Sequence, residues 1–592
     1  MSTYPTTDKL EAPGAILALA LMAALSLKTA QPVLAAVNNA TRARGATPLE
    51  VGPRPDVTSP QMLTNATRRI RVEKRYLNLP VKNGATKRHV TFLVDGKPVR
   101  QFQIELADGH PDWWAFMDLA PFKGKTAVIR IDKLPAQSAA LESIEQSHEI
   151  KGHRSLYKEA LRPQFHFSSR RGWNNDPNGL VFYRGEYHLF YQHNPYGVSW
   201  GNMHWGHAVS PDLVHWKELP EALYPDEHGS CWSGSALVDW HNTAGFQTGP
   251  EKPIVCIYAA AGKVFTQCIA YSNDRGRTWT RYRGNPVLPQ IFQGNRDPKV
   301  IWYAPRTEWI MALYLRKNDY GLLSSPNLKN WTRLSTITLP GASECPELFE
   351  IPVDGDKANT RWIFYGGNGH YLIGRFDGQN FATESGPHPL EFGNCFYASQ
   401  TFNDIPPRDG RRILIPWGQI NLPGMPFNQM MGLPVSLTLR TTGDGLRLFA
   451  NPVRELSSLR TAVHRFKPQG LAPGQNPLSP IHGELFDILV EIFPRHAEEL
   501  VFTLRGEPIT YDVKRQELTC HGKTAPLHLE HGHIRLRLLV DRVSIDIFGN
   551  DGRLYMPMGV ILAEDDRSLS IQAKGGTAWI DALEVHELKP AW

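Results

Sequence analysis

Cysteine is scarce in this sequence of 592 residues, and the six cysteines lie far apart. No two of them form a CxxC pair, so neither a zinc knuckle nor a dithiol redox motif is indicated. Such dispersion is typical of buried free thiols, although an exported protein could pair some of them. The cysteines are Cys231, Cys256, Cys268, Cys345, Cys395 and Cys520.

An excess of one charge is also missing. The 64 Lys and Arg residues against 58 Asp and Glu residues leave a formal net charge of +6, which is small for this length. The basic run Arg68-Arg69-Ile70-Arg71 falls in an apparent strand, where a solvated strand edge explains it better than a nucleic-acid site. We therefore expect no nucleic-acid partner.

Long hydrophobic runs are absent except near the N-terminus, where residues 15–27 read AILALALMAALSL. This run suits the core of a signal peptide and is short for a membrane span. Val33-Leu34-Ala35 makes an acceptable cleavage site, although Lys9 is flanked by acidic residues. We predict a signal peptide over 1–36 and export to the periplasm, the cell surface or the medium. An uncleaved N-terminal anchor is the alternative, and no stable membrane partner is expected.

Helix signals are few, and strand patterns predict an all-β chain. In HVTFLVDGKPVRQFQIEL, Asp95-Gly96 divides two strands with alternating apolar positions, which indicates a hairpin. Beyond Asn451, strands again alternate with polar turns, as in a β-sandwich. The predicted order is a linker at 37–62, a small accessory β-sandwich at 63–134, a connector at 135–162, a β-propeller at 163–450 and a C-terminal β-sandwich at 451–592.

The propeller prediction comes from a turn followed by an aromatic residue, which recurs four times. The copies are about 50 to 60 residues apart with strands between them, a period typical of propeller blades. The region 163–450 has room for five blades, while chance recurrence of turns is the alternative. The copies end at Trp216, Trp279, Trp331 and, in a degenerate form, Phe381.

Three acidic residues stand beside a turn residue or a proline in three different predicted blades. Asp176 lies in WNNDPNGL, Asp297 in GNRDPKV and Glu344 in SECPELFEI. Asp-Pro-Asn-Gly has the preferred residues of a type I turn, so we expect a turn that presents Asp176. Each motif alone is more often a plain turn, a surface ion pair or a strand end. Their combination favours a shared site.

Glycoside hydrolysis needs such a set of acids. One carboxylate attacks or stabilises an oxocarbenium-like centre, and another donates a proton to the leaving oxygen. Crowding carboxylates at the mouth of a propeller channel separates their pKa values by repulsion and desolvation. We expect no metal and no organic cofactor, because two carboxylates suffice for this chemistry.

WNNDPNGL, RDP and ECP, in that order, resemble the three signature motifs of glycoside hydrolase family 32, the β-fructosidases. The resemblance extends from Pro163 to the C-terminus and implies a five-bladed β-propeller followed by a β-sandwich. It also implies a retaining mechanism, with Asp176 as nucleophile, Glu344 as general acid/base and Asp297 as the residue that holds sugar hydroxyls.

The same resemblance assigns sugar-binding positions. Their amide, hydroxyl and guanidinium groups suit sugar hydroxyls, and their indoles suit the apolar face of a sugar ring. Nearby Trp205 and Trp216 are expected to be packing residues. The assigned positions are Asn175, Gln192, Trp200, Trp232, Ser233, Arg296 and Trp417.

The accessory region resembles the additional N-terminal domain of some bacterial family members that act on levan or inulin. This resemblance rests on the pattern of predicted strands alone and on no sequence motif. Trp113 or Trp114 would bind polysaccharide there, or both would be buried core residues. Export and this added domain favour a polymeric fructan over sucrose. The resemblance therefore implies an exo-acting fructan β-fructosidase of the levanase or inulinase type that releases fructose.

Other activities stay open at this point. Endo-levanase, endo-inulinase, invertase acting on sucrose, and fructosyl transfer would use the same acids. The box at 272–279 matches one found in sialidases, but only one copy is complete. Five-bladed arabinan- and xylan-degrading enzymes lack WNNDPNGL, and a glycan-binding propeller without catalysis would be expected to lose one of the acids.

Overall fold

The computed structural model describes residues 61–592, so the predicted signal peptide at 1–36 lies outside the described residues. Strands dominate this part of the chain, which confirms the all-β prediction. No helix within residues 61–592 is long and apolar enough to cross a bilayer. The helical elements are α1 (Ala140–Ser143) and 3-10 turns at Ala120–Phe122, His153–Ser155, Ala304–Arg306 and Arg454–Leu459.

The N-terminal domain is a small β-sandwich of seven strands. They are β1 (Met62–Arg71), β2 (Tyr76–Val81), β3 (Arg88–Val94), β4 (Lys97–Ile104), β5 (Trp113–Asp118), β6 (Thr126–Pro135) and β7 (Glu145–Ser147). A sheet of order β1-β6-β3-β4 and a sheet of order β5-β2-β7 enclose one apolar core, which includes Leu79, Phe92 and Ile129. Asp95 and Gly96 form the predicted β3–β4 turn, both with positive φ.

The two tryptophans of this domain are not free indole faces. Trp113 is 7% exposed and belongs to the core, and its Nε1 donates to Asn83 Oδ1 at 2.9 Å. The Lys151 ammonium lies 3.9 Å from the centre of the Trp114 ring. Trp113 is therefore a core residue, and the Lys151 ammonium occupies one face of the Trp114 ring.

A β-propeller of five blades follows. Its strands are β8 (Gly172–Tyr183), β9 (Glu186–Asn194), β10 (His204–Ser210), β11 (Lys217–Glu218), β12 (Ser230–Val238), β13 (Ile254–Ala261), β14 (Phe265–Ser272), β15 (Thr280–Arg281), β16 (Arg296–Tyr303), β17 (Glu308–Arg316), β18 (Asp319–Ser325), β19 (Thr332–Thr338), β20 (Glu347–Val353), β21 (Asp356–Tyr365), β22 (His370–Phe376), β23 (Phe381–Pro389), β24 (Tyr397–Thr401), β25 (Arg412–Gly418), β26 (Phe427–Asn428), β27 (Met430–Met431), β28 (Val435–Thr442) and β29 (Gly445–Pro452). Blades one to four are β8–β11, β12–β15, β16–β19 and β20–β23, and β24, β25, β28 and β29 form the fifth.

The recurring turn joins the third and fourth strands of blades one to four. An Asp or Asn side chain in each copy accepts backbone N–H groups two or three residues ahead, which closes the turn. In three copies the tryptophan Nε1 donates to the carbonyl three residues earlier. The sequence repeat is therefore one blade turn, stabilised locally in the same way each time.

Buried polar contacts and one parallel strand pair close the ring of blades. The Lys299 ammonium on β16 pairs with Glu347 on β20 at 3.0 Å and donates to the Thr401 carbonyl on β24 at 2.7 Å. Thr401 Oγ1 donates to Glu347 at 2.6 Å. β26 then pairs with β8, which joins the last blade to the first.

The C-terminal domain is a β-sandwich whose sheets enclose a second large apolar core. Its strands are β30 (Arg460–Phe466), β31 (Gln469–Leu471), β32 (Phe486–Phe493), β33 (Glu499–Leu504), β34 (Glu507–Asp512), β35 (Glu517–Cys520), β36 (Lys523–Pro526), β37 (Ile534–Val540), β38 (Ser544–Gly549), β39 (Leu554–Gly559), β40 (Leu569–Lys574) and β41 (Ala578–Leu588). One sheet has the order β30-β41-β32-β37-β38-β39 with β31 beside β41, and the other has the order β36-β35-β34-β33-β40.

A buried histidine joins the sandwich to the propeller. His166, ahead of the first blade, contacts Asp541 at 2.8 Å through Nδ1 and Asp546 at 3.0 Å through Nε2. Burial by itself would lower the pKa of His166, but the two carboxylates raise it to about 9. Its position between these two carboxyl groups therefore favours the charged form of the histidine.

Replacing His166 with Asn should destabilise the protein in a pH-dependent way. A histidine whose pKa rises from 6.5 to about 9 on folding contributes stability that is complete below pH 6.5 and is lost as the pH rises through 9. Breaking this buried ion network should cost about 3 kcal/mol at pH 6 and less at pH 9.5. Thermal unfolding at both pH values measures the difference, and equal losses would contradict the ionic role.

Candidate active site

The innermost strands share an irregularity near their first residues. In β8, β12, β16 and β24 the pairing register shifts within the opening residues, which is the mark of a β-bulge. A bulge leaves a residue unpaired and turns its side chain in a new direction. The shifts lie between Asn174 and Pro177, Cys231 and Gly234, Arg296 and Lys299, and Tyr397 and Gln400.

Asp176 lies in the first of these bulges, so the predicted type I turn is wrong. WNNDPNGL belongs to the continuous strand β8, whose register shifts on both sides of Pro177 and Asn178. Pairing with β9 overrides the turn preference of Asp-Pro-Asn-Gly. Pro177 is the first residue paired after the bulge, opposite Tyr191, and a position beside a bulge is one of the few places where a strand accepts proline.

Asp297 and Glu344 are presented by a less common backbone conformation. Their φ angles are 60° and 61°, and Cys345 follows with 40°. Non-glycine residues in this left-handed region are strained by roughly 1 to 3 kcal/mol and cluster at functional sites. Asp297 occupies the bulge of β16, and Glu344 lies three residues before the start of β20.

The Cys345 thiol lies between two of the acids. Its Sγ is 3.7 Å from Asp176 Oδ2 and 3.6 Å from Asp297 Oδ2, and its backbone nitrogen donates to Asp297 Oδ2 at 3.2 Å. Burial, and then the neighbouring carboxylates, raise the pKa of this thiol well above its ordinary value. Cys345 is thus a neutral donor that holds Asp176 and Asp297 within reach of one atom. All six cysteines are buried free thiols.

Asp176 has two neutral hydrogen-bond donors. Ser233 Oγ, from the bulge of β12, donates to Oδ2 at 2.6 Å, and Asn175 Nδ2 donates to Oδ1 at 2.9 Å. Trp173 Nε1 donates to Asn175 Oδ1 at 2.9 Å and so orients that amide. Burial raises the pKa of Asp176, the two hydrogen bonds oppose this, and the Glu344 carboxylate adds to the rise.

Glu344 is held from both sides by residues of neighbouring blades. Arg296 donates to Oε1 and Tyr397 donates to Oε2, the latter at 2.6 Å. Tyr397 was not among the sequence-predicted site residues. It follows Glu344 by 53 residues, about one blade period, so the repeat itself is the signal that could have identified it.

Asp297 is the most buried of the three acids, with 6% exposure. Burial raises the pKa of Asp297 to about 7, because the Arg296 guanidinium 3.7 Å away only partly offsets the desolvation. The carboxylates of Asp176 and Glu344 add to the rise. The protonation of Asp297 is therefore coupled electrostatically to the charges of Asp176 and Glu344.

The predicted sugar-binding residues divide into a wall and a rim. Gln192 is buried and donates to the Cys231 carbonyl at 3.0 Å, next to Trp232. Trp417 packs edge-on against Trp173, with ring centres 6.1 Å apart. Trp200 is 53% exposed and meets Trp232 edge-on at 5.7 Å, so these two indoles form the rim of the site. Trp205 and Trp216 are buried, as expected.

Replacing Asp297 with Asn should change how stability depends on pH. A carboxyl whose pKa rises from 3.8 to about 7 on folding favours the folded state most below pH 3.8, and this advantage is lost as the pH rises through 7. An asparagine side chain cannot ionise, so the variant does not lose folding free energy when the pH rises through the pKa of the buried carboxyl group. The melting temperature of the variant relative to wild type should therefore be higher at pH 8 than at pH 5, by about 2 °C or more. An unchanged difference at the two pH values would contradict a raised pKa.

Comparison with known proteins gives a consistent picture. The family model described as "Glycosyl hydrolases family 32 N-terminal domain" matches residues 166–452, and that described as "Glycosyl hydrolases family 32 C terminal" matches residues 455–587. A levanase of Bacillus subtilis is 40% identical over 488 residues, which cover 74% of this chain and 72% of the levanase. An extracellular exo-inulinase of Aspergillus ficuum is 29% identical over 74% of this chain and 97% of its own length.

Solved structures extend this similarity to the fold. The exo-inulinase of Aspergillus awamori superposes with a TM-score of 0.67 at 28% identity, covering 74% of this chain and all of that one. A fructofuranosidase of Schwanniomyces occidentalis, complexed with fructosylnystose, gives a TM-score of 0.66 at 26% identity, covering 73% of this chain and 98% of that one. Three convergent acids, the five blades with their sandwich and these similarities together establish that the chain belongs to glycosyl hydrolase family 32.

Proposed function

We propose that this protein is a retaining, exo-acting fructan β-fructosidase that releases fructose from levan or inulin. The observation that carries the proposal is the convergence of Asp176, Asp297 and Glu344, each with a different set of hydrogen-bond partners. The levanase and exo-inulinase relatives support the substrate class. The site described above needs no metal for this chemistry.

Asp176 acts as the nucleophile in this proposal. Ser233 and Asn175 donate to its two oxygens, and these hydrogen bonds stabilise the carboxylate form and offset part of the rise in pKa that burial causes. The carboxylate attacks the anomeric carbon of the terminal fructosyl unit, and a covalent ester forms as the bond to the leaving oxygen breaks.

Glu344 acts as the general acid and then the general base. It gives its proton to the leaving oxygen, and in the second half-reaction it takes a proton from the water that breaks the ester. Tyr397 and Arg296, which contact its two oxygens, keep the carboxyl directed into the site. Asp297 accepts hydrogen bonds from fructosyl hydroxyls, and sugar binding replaces part of its lost hydration.

The accessory domain positions the rim in this proposal. We assign this role to residues 63–134, followed by a connector at 135–162, a propeller at 163–450 and a sandwich at 451–592. Asn202, two residues after Trp200, accepts a hydrogen bond from Gln103 N at 2.8 Å and donates to Gln103 O at 2.7 Å. Tyr196 of the same loop stacks on Phe102 at 3.8 Å. Strand β4 thus anchors the loop that carries Trp200.

The proposed location is outside the cytoplasm. The apolar run at 15–27 supports an exported chain, and several of the similar inulinases are named extracellular. A polymeric fructan is too large to enter a cell freely, so an exported enzyme meets its substrate there.

A product assay tests the activity. Purified protein is incubated with levan, inulin and sucrose, and fructose is separated from oligosaccharides by chromatography. Fructose should be the only early product from levan or inulin. Asp176→Ala and Glu344→Gln should each lower kcat by a factor of about 10³ or more, because the first removes the nucleophile and the second removes the proton donor of the bond-breaking step.

Other products would redirect the proposal. Early oligosaccharides would indicate endo-attack, and release from sucrose alone would indicate an invertase. No release from any of the three sugars by a folded protein would overturn the fructosidase proposal and favour a glycan-binding propeller.

Removing the Asn202 side chain should weaken the binding of polymeric substrates and leave sucrose hydrolysis little changed. Asn202→Ala and Asn202→Gly each remove two hydrogen bonds to the accessory domain and one to Asn194 Oδ1, and Gly also keeps the left-handed backbone at this position (φ 45°). We expect the KM for levan or inulin to rise about fivefold, with kcat and sucrose hydrolysis little changed. Trp200→Ala should give the same pattern. A normal KM in Asn202→Gly would show that the anchor does not set the rim.

A further inference from the structure

Aromatic side chains gather at the end of the channel opposite the three acids. The innermost strands begin at the catalytic mouth, and their far ends carry Trp240 just after β12, Trp302 near the end of β16 and Asp404 just after β24. Asp297 and Trp302 lie five residues apart along β16, which corresponds to about 16 Å of strand. This second cluster is therefore separate from the acids.

These side chains line one of two neighbouring hollows that have part of their walls in common. Hollows of 370 Å³ and 570 Å³ share Trp302, Glu350 and Trp362 in their walls. Each volume is in the range of a small-molecule site. Trp240 borders the first hollow, and Asn380 borders the second. We call the two hollows together the distal groove.

The indoles of the distal groove are fixed in place and open to solvent. Trp240 is 46% exposed, and its Nε1 donates to Asp404 Oδ1 at 2.8 Å. Asp404 is itself fixed, because its other oxygen accepts from Val238 N at 2.9 Å. Trp302 packs edge-on against Trp309 at 4.9 Å and remains half-buried. Rigid aromatic surfaces lose little entropy when they bind a ligand.

The chemistry of the groove suits an uncharged carbohydrate. Indole faces cover the C–H surface of sugar rings, and the exposed Glu350 carboxylate and Asn380 amide offer hydrogen bonds to hydroxyls. Glu350 Oε1 already accepts from Thr360 Oγ1 at 2.5 Å, and a purely apolar ligand would cover its other oxygen and the Asn380 amide without pairing them. A charged polymer gains little, because Glu350 and Asp377 stand beside Arg375 in the same wall.

We propose that the distal groove is a second, non-catalytic binding site for the fructan chain. The proposal rests on the proposed function for the identity of the polymer. A site at the far end of the channel holds one part of the polymer while another chain end enters the mouth. This raises the local concentration of chain ends without touching the reacting bond.

Binding is measured by electrophoresis in gels that contain levan or inulin, with Asp176→Ala as the parent so that the polymer stays intact. The mouth of the channel also binds polymer, so each groove variant is compared with the Asp176→Ala parent. The measured quantity is the retardation that is lost when Trp302→Ala or, separately, Glu350→Ala is added to that parent. Each should raise the Kd for the polymer at least threefold. Phe493→Ala, which removes a 39% exposed aromatic from the C-terminal sandwich, should leave the Kd unchanged.

The same substitutions in the active enzyme separate the two proposals. Sucrose hydrolysis should stay within twofold of wild type, which also shows that each variant is folded, while kcat/KM for the polymer should fall threefold or more. The proposal that the distal groove binds polymer would be overturned if both groove variants were retarded as strongly as the parent, or if the parent itself were not retarded. A wild type that releases no fructose would overturn the proposed function instead, and the gel would still report on the groove.

Discussion

Three carboxyl groups held close together through two shared partners, Cys345 and Arg296, are the constraint on which the rest of the site depends. Like charges at such distances cannot all be ionised cheaply, so each needs its own compensation. Ser233 and Asn175 supply it for Asp176, and Arg296 and Tyr397 supply it for Glu344. Arg296 also supplies it for Asp297, together with the Cys345 backbone N–H. These unequal partner sets separate the three acids chemically, which two-step glycoside hydrolysis requires.

The propeller holds these crowded side chains on strands that remain paired and packed. Four innermost strands bear a bulge at the same level, and each bulge directs side chains into the mouth while the rest of the strand stays paired. Below the mouth, the buried Lys299–Glu347 pair with Thr401 ties three blades together. The strain of the left-handed residues Asp297 and Glu344 is thus carried by a closed ring and not by a mobile loop.

The innermost strands of the blades carry different groups of side chains at their two ends. Their starts carry the acids, and their far ends carry the indoles of the distal groove. The accessory sandwich meets the mouth from the side, where β4 holds Asn202 beside the rim. The proposed catalytic, rim and distal-groove roles therefore belong to different parts of the chain, and substitutions can test each of them separately.

Local patterns explain which features could be predicted. The Asp/Asn turn and its following tryptophan predicted the blades, because that turn is closed by its own side chain within a few residues. The same local logic failed at Asp-Pro-Asn-Gly, where pairing of β8 with β9 decides the conformation. Tyr397 was missed because no acidic motif marks the fifth blade, although the blade period leads to its position.

The sequence by itself determined the all-β class, the blade repeat, the order of the acidic motifs and the family to which they belong. These depend on residue types and spacings that are written along the chain. Only the tertiary structure decided that Cys345 stands between two acids, that Asp297 has a pKa of about 7 and that Gln103 holds Asn202. Burial, strand register and contact between distant residues arise when sheets pack together, and no local pattern specifies them.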